Sequence, residues 1–554
     1  MRCCEDYFGA TSREYQLLQK GVVVHHGKMP GLLARLLVDV IDKRIVHLVI
    51  ATSTLSEGVN LPFETILIPS LQRWDGDITK SEFANLVGRA GRPGFGTEGR
   101  SLVLLSNDFT EESVIKTRAQ YFDLIESLQQ PNETNNAHSP LAELLLHLEA
   151  QWSLLTNSEN RSGFLKWLEQ TAPLNFRNPS EQTLATIETL DTLDSILLAA
   201  IVELEQISNR RLNPDELEEQ LQQIWQRSYA HYANQEQARL DEFFVSRGRA
   251  LKTTIYPSST ERRRLYRTSL PPRSGNQLLN VYPELRQHLA TGENYVTWSS
   301  EERFNYIQTV VSSLHTVEKF TLAQGGKNES WQSILRWWLD PRHAVKPTKT
   351  QVSKWHDYVS QNFGYKFNWG LGSLIALEIN TTFGGQVLEP SLDDWSRTGL
   401  PWIVFWIKEL IIWGTLDPVA AFLLARRVAI TRPDAEALAQ QYYQSVSEQS
   451  PNEQLNAVTI KNWVQQVFAR ASVVSHLTPN SEISVILLRD FSRVPAQQWR
   501  VLPVAVGDEI QWFDPAGFCL ASCPSPANWQ AEYLNRYDFM LEPENQVVLS
   551  RLYV

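Results

Sequence analysis

Two arginines three residues apart, Arg89 and Arg92, stand in the stretch FANLVGRAGRPGFGTEGR (83 to 100) among Gly88, Gly91 and Gly94. A guanidinium stays charged at every accessible pH and meets phosphate oxygens through a planar fork of donors, while glycine lets the main chain come close to a ligand. Residue types and spacing therefore suit the holding of a polyphosphate. A surface turn with two solvated arginines is the competing reading of an isolated GRxGR pattern, and the preceding segments shift the balance. TSTLSEGVNLP, from Thr52 to Pro62, offers hydroxyls and main-chain amides suited to a sugar-phosphate backbone, and Gly58 with Asn60 leaves space and a polar side chain for a second ligand. A capped helix start would use the same Ser and Thr residues.

Some framework must carry these loops. GVVVHH, Gly21 to His26, is a short apolar strand; a turn through Pro30 leads into a helix over about 31 to 44, with Leu33, Leu37 and Ile41 on one face. IVHLVIAT, from Ile45 to Thr52, is an apolar run of the kind expected for a parallel strand covered on both faces. Strand, helix and strand make an α/β layer, and such layers bind ligands beyond the carboxyl ends of their strands. Asp75-Gly76 then signals a hairpin, with Arg73 and Trp74 just before its tip, and GRSLVLLS (99 to 106) returns as another buried strand.

The ordered set ATSTLSEGVNLP, hairpin and NLVGRAGRPGFGTEG resembles motifs V and VI of superfamily 2 helicases, in the Ski-like DExH-box branch, and GVVVHHGKMP resembles the HHxGL-type segment upstream. The resemblance covers residues 15 to 107 and implies the second RecA-like lobe of an ATP-driven nucleic-acid motor. It implies that Arg89 and Arg92 reach an ATP γ-phosphate across a lobe interface, with Gly58, Asn60, Asn85 and Gly88 on the nucleotide side. It further implies that Thr52, His25 and His26 lie along the nucleic-acid track and that the hairpin with Arg73 and Trp74 separates strands. Three positions depart from the pattern: Asn85 stands for the usual glutamine, Gly96 for a common aspartate, and Lys28-Met29 for a glycine-leucine type pair.

A complete motor also needs a phosphate loop with its lysine and an acidic pair for magnesium and water. Gly325-Gly326-Lys327 lacks the upstream glycine and the following Ser or Thr, while Asp215-Glu216 and Asp241-Glu242 sit in charge-rich helical surroundings. The expectation is half an ATP site, with ATP and its Mg held mainly by a first RecA-like lobe on a separate or missing polypeptide. The expected partner is DNA or RNA. A non-catalytic nucleic-acid-binding or interaction protein, or a truncated gene product, is the alternative.

The 554 residues are too many for one core and suggest about three to five domains. A net charge of -11 excludes a uniformly basic surface, so any nucleic-acid contact is local. Residues 247 to 273 are such a patch, with eight basic residues against the single Glu261, and include Arg262, Arg263 and Arg264 beside Tyr256 and Tyr266. Ion pairing with the acidic run at Glu216 to Glu219 is an equal reading. The polar opening carries no secretory signal, and PWIVFWIKELIIW (401 to 413) is too short to span a bilayer and contains Lys408 and Glu409. Together with four cysteines that lack zinc spacing, this points to a cytoplasmic protein with reduced thiols, no metal site and no membrane partner. The expected organisation is a RecA-like α/β helicase C-terminal lobe over 1–107, a helical region over 108–290, an aromatic-rich helical domain over 291–450, and a linker helix with a β-rich domain over 451–554.

Overall fold

A computed structural model describes residues 1–52, 63–73, 76–90, 99–104, 111–129, 139–177, 179–233, 240–325, 329–383, 392–468, 482–488, 499–514, 517–525, 537–542 and 545–551. The chain is mostly helical and forms two compact units, Met1–Ile460 and Lys461–Val554.

The polar opening folds as two helices that hydropathy did not signal, α1 (Arg2–Phe8) and α2 (Arg13–Gln19). Ser12 caps α2 by accepting from the Tyr15 amide, and α1 buries Cys3, Cys4, Tyr7 and Phe8. Strand β1 (Val22–His25), helix α3 (Gly31–Asp42) and strand β2 (Leu48–Ala51) follow as expected, with β1 and β2 parallel and Val22 opposite Leu48. The same arrangement recurs in β3 (Thr65–Ile68), which pairs in parallel with β6 (Arg100–Val103). Between them lie β4 (Gln72–Arg73), β5 (Gly76–Asp77) and α4 (Lys80–Val87), the helix closed by a reciprocal capping box of Thr79 and Glu82.

The expectation that these strands are covered on both faces is corrected. Leu48 is 55% exposed, Ile50 51%, Leu67 62% and Leu102 54%, and the two parallel pairs remain separate ladders. Among the described residues, the second pair meets a core formed by Ile68, Leu71, Ile78 and Phe83 against Tyr121, Leu124, Ile125 and Leu128. Those last four belong to α5 (Glu111–Gln129), at the start of the expected helical region.

Helices α6 (Pro140–Thr156), α7 (Arg161–Gln170), α8 (Glu181–Ile207) and α9 (Pro214–Gln226) begin the helical remainder of the first unit. Each starts at a Ser or Asn whose side chain accepts an amide hydrogen. Farther along, the tryptophan-rich helix Trp402–Trp413 is buried nearly all round and ends at Gly414, whose φ of 69° is the left-handed geometry that glycine tolerates. The first fifty residues pack on this later region: Tyr7 Oη donates to Trp413 O at 3.0 Å, and the His356 imidazole Nε2 meets Tyr7 O at 2.9 Å.

The second unit contains a seven-member sheet in the order β7 (Glu482–Ser484), β13 (Gln546–Arg551), β12 (Tyr537–Glu542), β9 (Trp499–Val506), β10 (Glu509–Phe513), β11 (Cys519–Pro524), β8 (Ile486–Leu487). The first and last members are separated in sequence by Val485 alone, so one chain segment pairs with both ends of the ladder and closes it into a small antiparallel barrel. Trp512, Ile510, Val501, Phe539 and Val547 fill its interior.

Candidate nucleotide and nucleic-acid interface

Helix α4 carries the start of the arginine stretch. Its last turn closes with the Gly88 amide on Ala84 O at 2.9 Å and the Arg89 amide on Leu86 O at 3.2 Å. Gly88 is the position without room: a Cβ there would lie 3.0 Å from Ala84 O. Arg89 is half-buried at the carbonyl end of the helix, where a cation is favoured, and Asn85 is exposed one turn earlier. The next residue, Ala90, forms a parallel bridge with Phe63, and the Arg100 amide donates to Glu64 O at 2.9 Å. The chain leaving Pro62 and the chain entering the second half of the arginine stretch thus run side by side. Gly58, Asn60, Arg92 and Gly96 lie outside the described residues.

A second cluster forms at the carboxyl ends of β1 and β2. The Thr52 amide donates to His25 O at 3.2 Å, and the Met29 amide closes a turn on His26 O at 3.1 Å. His25 is buried with its Nδ1 unbonded, and burial, then the adjacent His26, lowers its pKa. His26 stays half-exposed, and the turn delivers Lys28 and Gly31 to the amino end of α3, where no side chain caps the free amides.

This turn forms one side of a cleft of about 510 Å³; the other side includes Ser360, Asn368, Trp369 and Lys408. Ser360 lies in a π-helical stretch, Val359–Phe367, a geometry that often marks functional positions. Lys28 Nζ pairs with Asp357 at 3.1 Å, and Lys408 is exposed although Ile407, Leu410 and Ile411 beside it are buried. The Asn368 amide donates to Gly364 O at 3.0 Å while its Oδ1 is closed off from solvent without a partner. Sequence reading did not single out this side. The available signal was the charged pair Lys408-Glu409 inside a helix whose other residues are apolar.

The hairpin strands are paired, with Gln72 opposite Asp77 and Arg73 opposite Gly76; Trp74 lies outside the described residues. The basic patch separates into two populations. Arg262 is corrected as a nucleic-acid contact: it is 2% exposed, pairs with Glu205 at 3.0 Å, and donates to Tyr256 O at 2.8 Å and Pro257 O at 3.1 Å. Arg247 is fully buried against Asp194, and Lys252, Arg249 and Arg273 pair with Glu205, Glu218 and Glu318. Arg263 and Arg264 remain exposed on the helix Ser259–Tyr266. The acidic pairs set aside above are helix-start groups: Glu216 completes a capping box with Asn213 and binds Arg210, and Asp241 and Glu242 occupy the first turn of Leu240–Ala250.

Among the described residues, no group of three or more His, Cys, Asp or Glu side chains is placed to hold a metal ion, and no helix is long and apolar enough to cross a membrane. All four cysteines are free thiols.

No family model matches the chain. It is 34% identical over 95 residues to the antiviral helicase SKI2 of Saccharomyces cerevisiae, covering 16% of this chain and 7% of that protein. It is 30% identical over 102 residues to the ATP-dependent DNA helicase Hel308 of Thermoplasma acidophilum, 18% of this chain and 15% of that one. The match to the Hachiman protein HamB of Bacillus cereus is longer, 27% identity over 217 residues, 37% of this chain and 18% of that protein. The chain thus spans less than a fifth of the length of each of these relatives.

Proposed function

We propose that this chain, related to the Ski-like DExH helicases of superfamily 2, supplies the second-lobe half of an ATP-driven nucleic-acid motor. Arg89 and Arg92 engage the γ-phosphate of an ATP held by a first RecA-like lobe, which also holds the magnesium that accompanies the nucleotide. Asn85, Gly88, Gly58 and Asn60 border that nucleotide. Thr52, His25, His26 and Lys28 line the nucleic-acid side, and the residues 72 to 77 hairpin meets the duplex.

The observation that carries this reading is the bridge between Phe63 and Ala90. It holds Phe63, which follows the Thr52 to Pro62 segment in sequence, beside Ala90, which follows Arg89. The first loop begins at Thr52, whose amide is bonded to His25. In this reading, phosphate chemistry at the arginines and phosphate contact at Thr52 are coupled through the segment between Thr52 and Phe63. Phosphoryl transfer depends mainly on positioning and charge neutralisation, so an arginine that meets the γ-phosphate when two lobes close couples hydrolysis to movement along a strand.

Binding of a fluorescent single-stranded oligonucleotide tests the nucleic-acid side. Replacing Lys28 and Lys408 together by glutamate is expected to weaken binding at least about tenfold and to reduce the steepness of its salt dependence by about two phosphate contacts. Equal affinity and equal salt slope in the variant would contradict the assignment.

A further inference from the structure

We infer that Arg432 is a positioning residue that holds the N-terminal helix–strand segment against the helical region, and so fixes the width of the cleft between Lys28 and Trp369. The role of that cleft in nucleic-acid binding rests on the function proposed above; the positioning does not.

The contacts around Arg432 come from three different parts of the chain. Its amide donates to the Asp6 carboxylate at 2.8 Å, and its guanidinium Nε meets both Asp6 oxygens at 3.2 Å. The terminal nitrogens donate to Asp6 O at 2.8 Å, Trp338 O at 3.2 Å and Gly414 O at 3.3 Å. The guanidinium carbon also lies 4.7 Å from the Tyr7 ring centre and 5.9 Å from that of Trp338. One planar, rigid cation therefore joins α1, the end of the helix Trp331–Leu339, the Gly414 turn and the start of the helix Arg432–Ser445.

Other contacts across this junction are of a different kind. Arg2 with Asp434, Lys28 with Asp357 and Arg427 with Asp39 pair at 2.7 to 3.1 Å, but every one of these side chains is at least 37% exposed. Solvent-exposed ion pairs contribute little and are screened by salt. Arg432 and Asp6 are 8% and 12% exposed, and a desolvated arginine ringed by exposed pairs is the arrangement in which one residue dominates an interface. The geometry matters because the cleft has one rim on each side of the junction. Lys28, Met29 and Gly31 belong to the segment that α1 anchors, whereas Trp338, which Arg432 touches, also lines the cleft with Trp369 and Lys408.

The test places spin labels at Lys20 and Tyr365, both exposed, and measures their separation in the full chain with and without Arg432→Lys or Arg432→Met. Native Arg432 is expected to give one narrow distance distribution. Arg432→Met broadens or shifts it, and Arg432→Lys recovers it only in part, because an ammonium cannot reach three carbonyls in a plane. Oligonucleotide affinity should fall about tenfold in Arg432→Met. A double variant, Arg432→Met with Asp6→Leu, removes the unpaired buried carboxylate and should recover thermal stability without recovering the distance or the affinity. An unchanged distance in Arg432→Met overturns the inference, as does joint recovery of stability, distance and affinity in the double variant. If native protein binds no oligonucleotide while the distance still responds, the cleft's function fails and the positioning role stands.

Discussion

At the level of single residues, burial separates groups that the sequence presents as equals. Arg262, Arg263 and Arg264 are adjacent, yet the first lies at 2% exposure against Glu205 while the other two face solvent. Removing Arg262 leaves the buried Glu205 with Lys252 alone, at a cost up to the about 3–5 kcal/mol of a fully broken buried pair, whereas an exposed arginine contributes little to stability. Arg262→Ala is therefore expected to lower the denaturant midpoint markedly. Arg263→Glu with Arg264→Glu should leave that midpoint nearly unchanged and weaken oligonucleotide binding with a shallower salt dependence; equal stability losses in the two proteins would contradict this separation.

His356 makes a second residue-scale prediction. Burial chiefly, opposed by its bond to Tyr7 O and reinforced by Arg432 and His26, lowers the imidazole to about 4. The ring is neutral in the fold and takes a proton near 6.5 when unfolded, so its contribution is complete above pH 6.5 and is lost as pH falls toward 4. The full loss is on the order of 3 kcal/mol. Urea unfolding between pH 7.5 and 4.5 should show this decline, and His356→Gln should flatten it; an identical pH slope in the variant would remove His356 as the cause.

At the level of elements, local patterns located most of what the structure contains. The helix that starts at Gly31, the strands Val22–His25 and Leu48–Ala51, the hairpin signalled by Asp75-Gly76 and the β-rich character of the C-terminal region follow from apolar period and turn chemistry. What was not legible depended on contacts distant in sequence. Helix α1 is polar on average and is stabilised by burying Tyr7 and Phe8 against residues more than three hundred positions away. Barrel closure depends on the segment 482 to 487 pairing with both β13 and β11, and no local pattern specifies that. The open faces of β2, β3 and β6 contradict the usual meaning of an apolar parallel strand, because what covers such a strand is set by neighbours and not by its own residues. The site was legible in the same measure. Thr52 and His25 are brought together as their strand ends predict, while Trp369 and Lys408 meet the Lys28 to Gly31 turn across the cleft through packing between segments distant in sequence.

At the level of the whole molecule, the proposed coupling of the arginines to a nucleic-acid side has two structural footholds. The Phe63–Ala90 bridge holds the residue that follows the Thr52 to Pro62 segment beside the residue that follows Arg89, and α1 fastens the first strand–helix segment to the helical region. A motor half built in this way should be silent by itself and active when a first lobe presents ATP. The decisive measurement is nucleic-acid-stimulated ATP hydrolysis by the 554-residue chain, alone and mixed with a first RecA-like lobe bearing its phosphate loop and DExH sequence, in native and Arg92→Ala forms. The expected result is no turnover by the chain alone, turnover in the mixture, and a loss of about 10³-fold or more in Arg92→Ala. Hydrolysis by the chain alone that disappears in Arg92→Ala, or turnover in the mixture that is indifferent to that substitution, would contradict it.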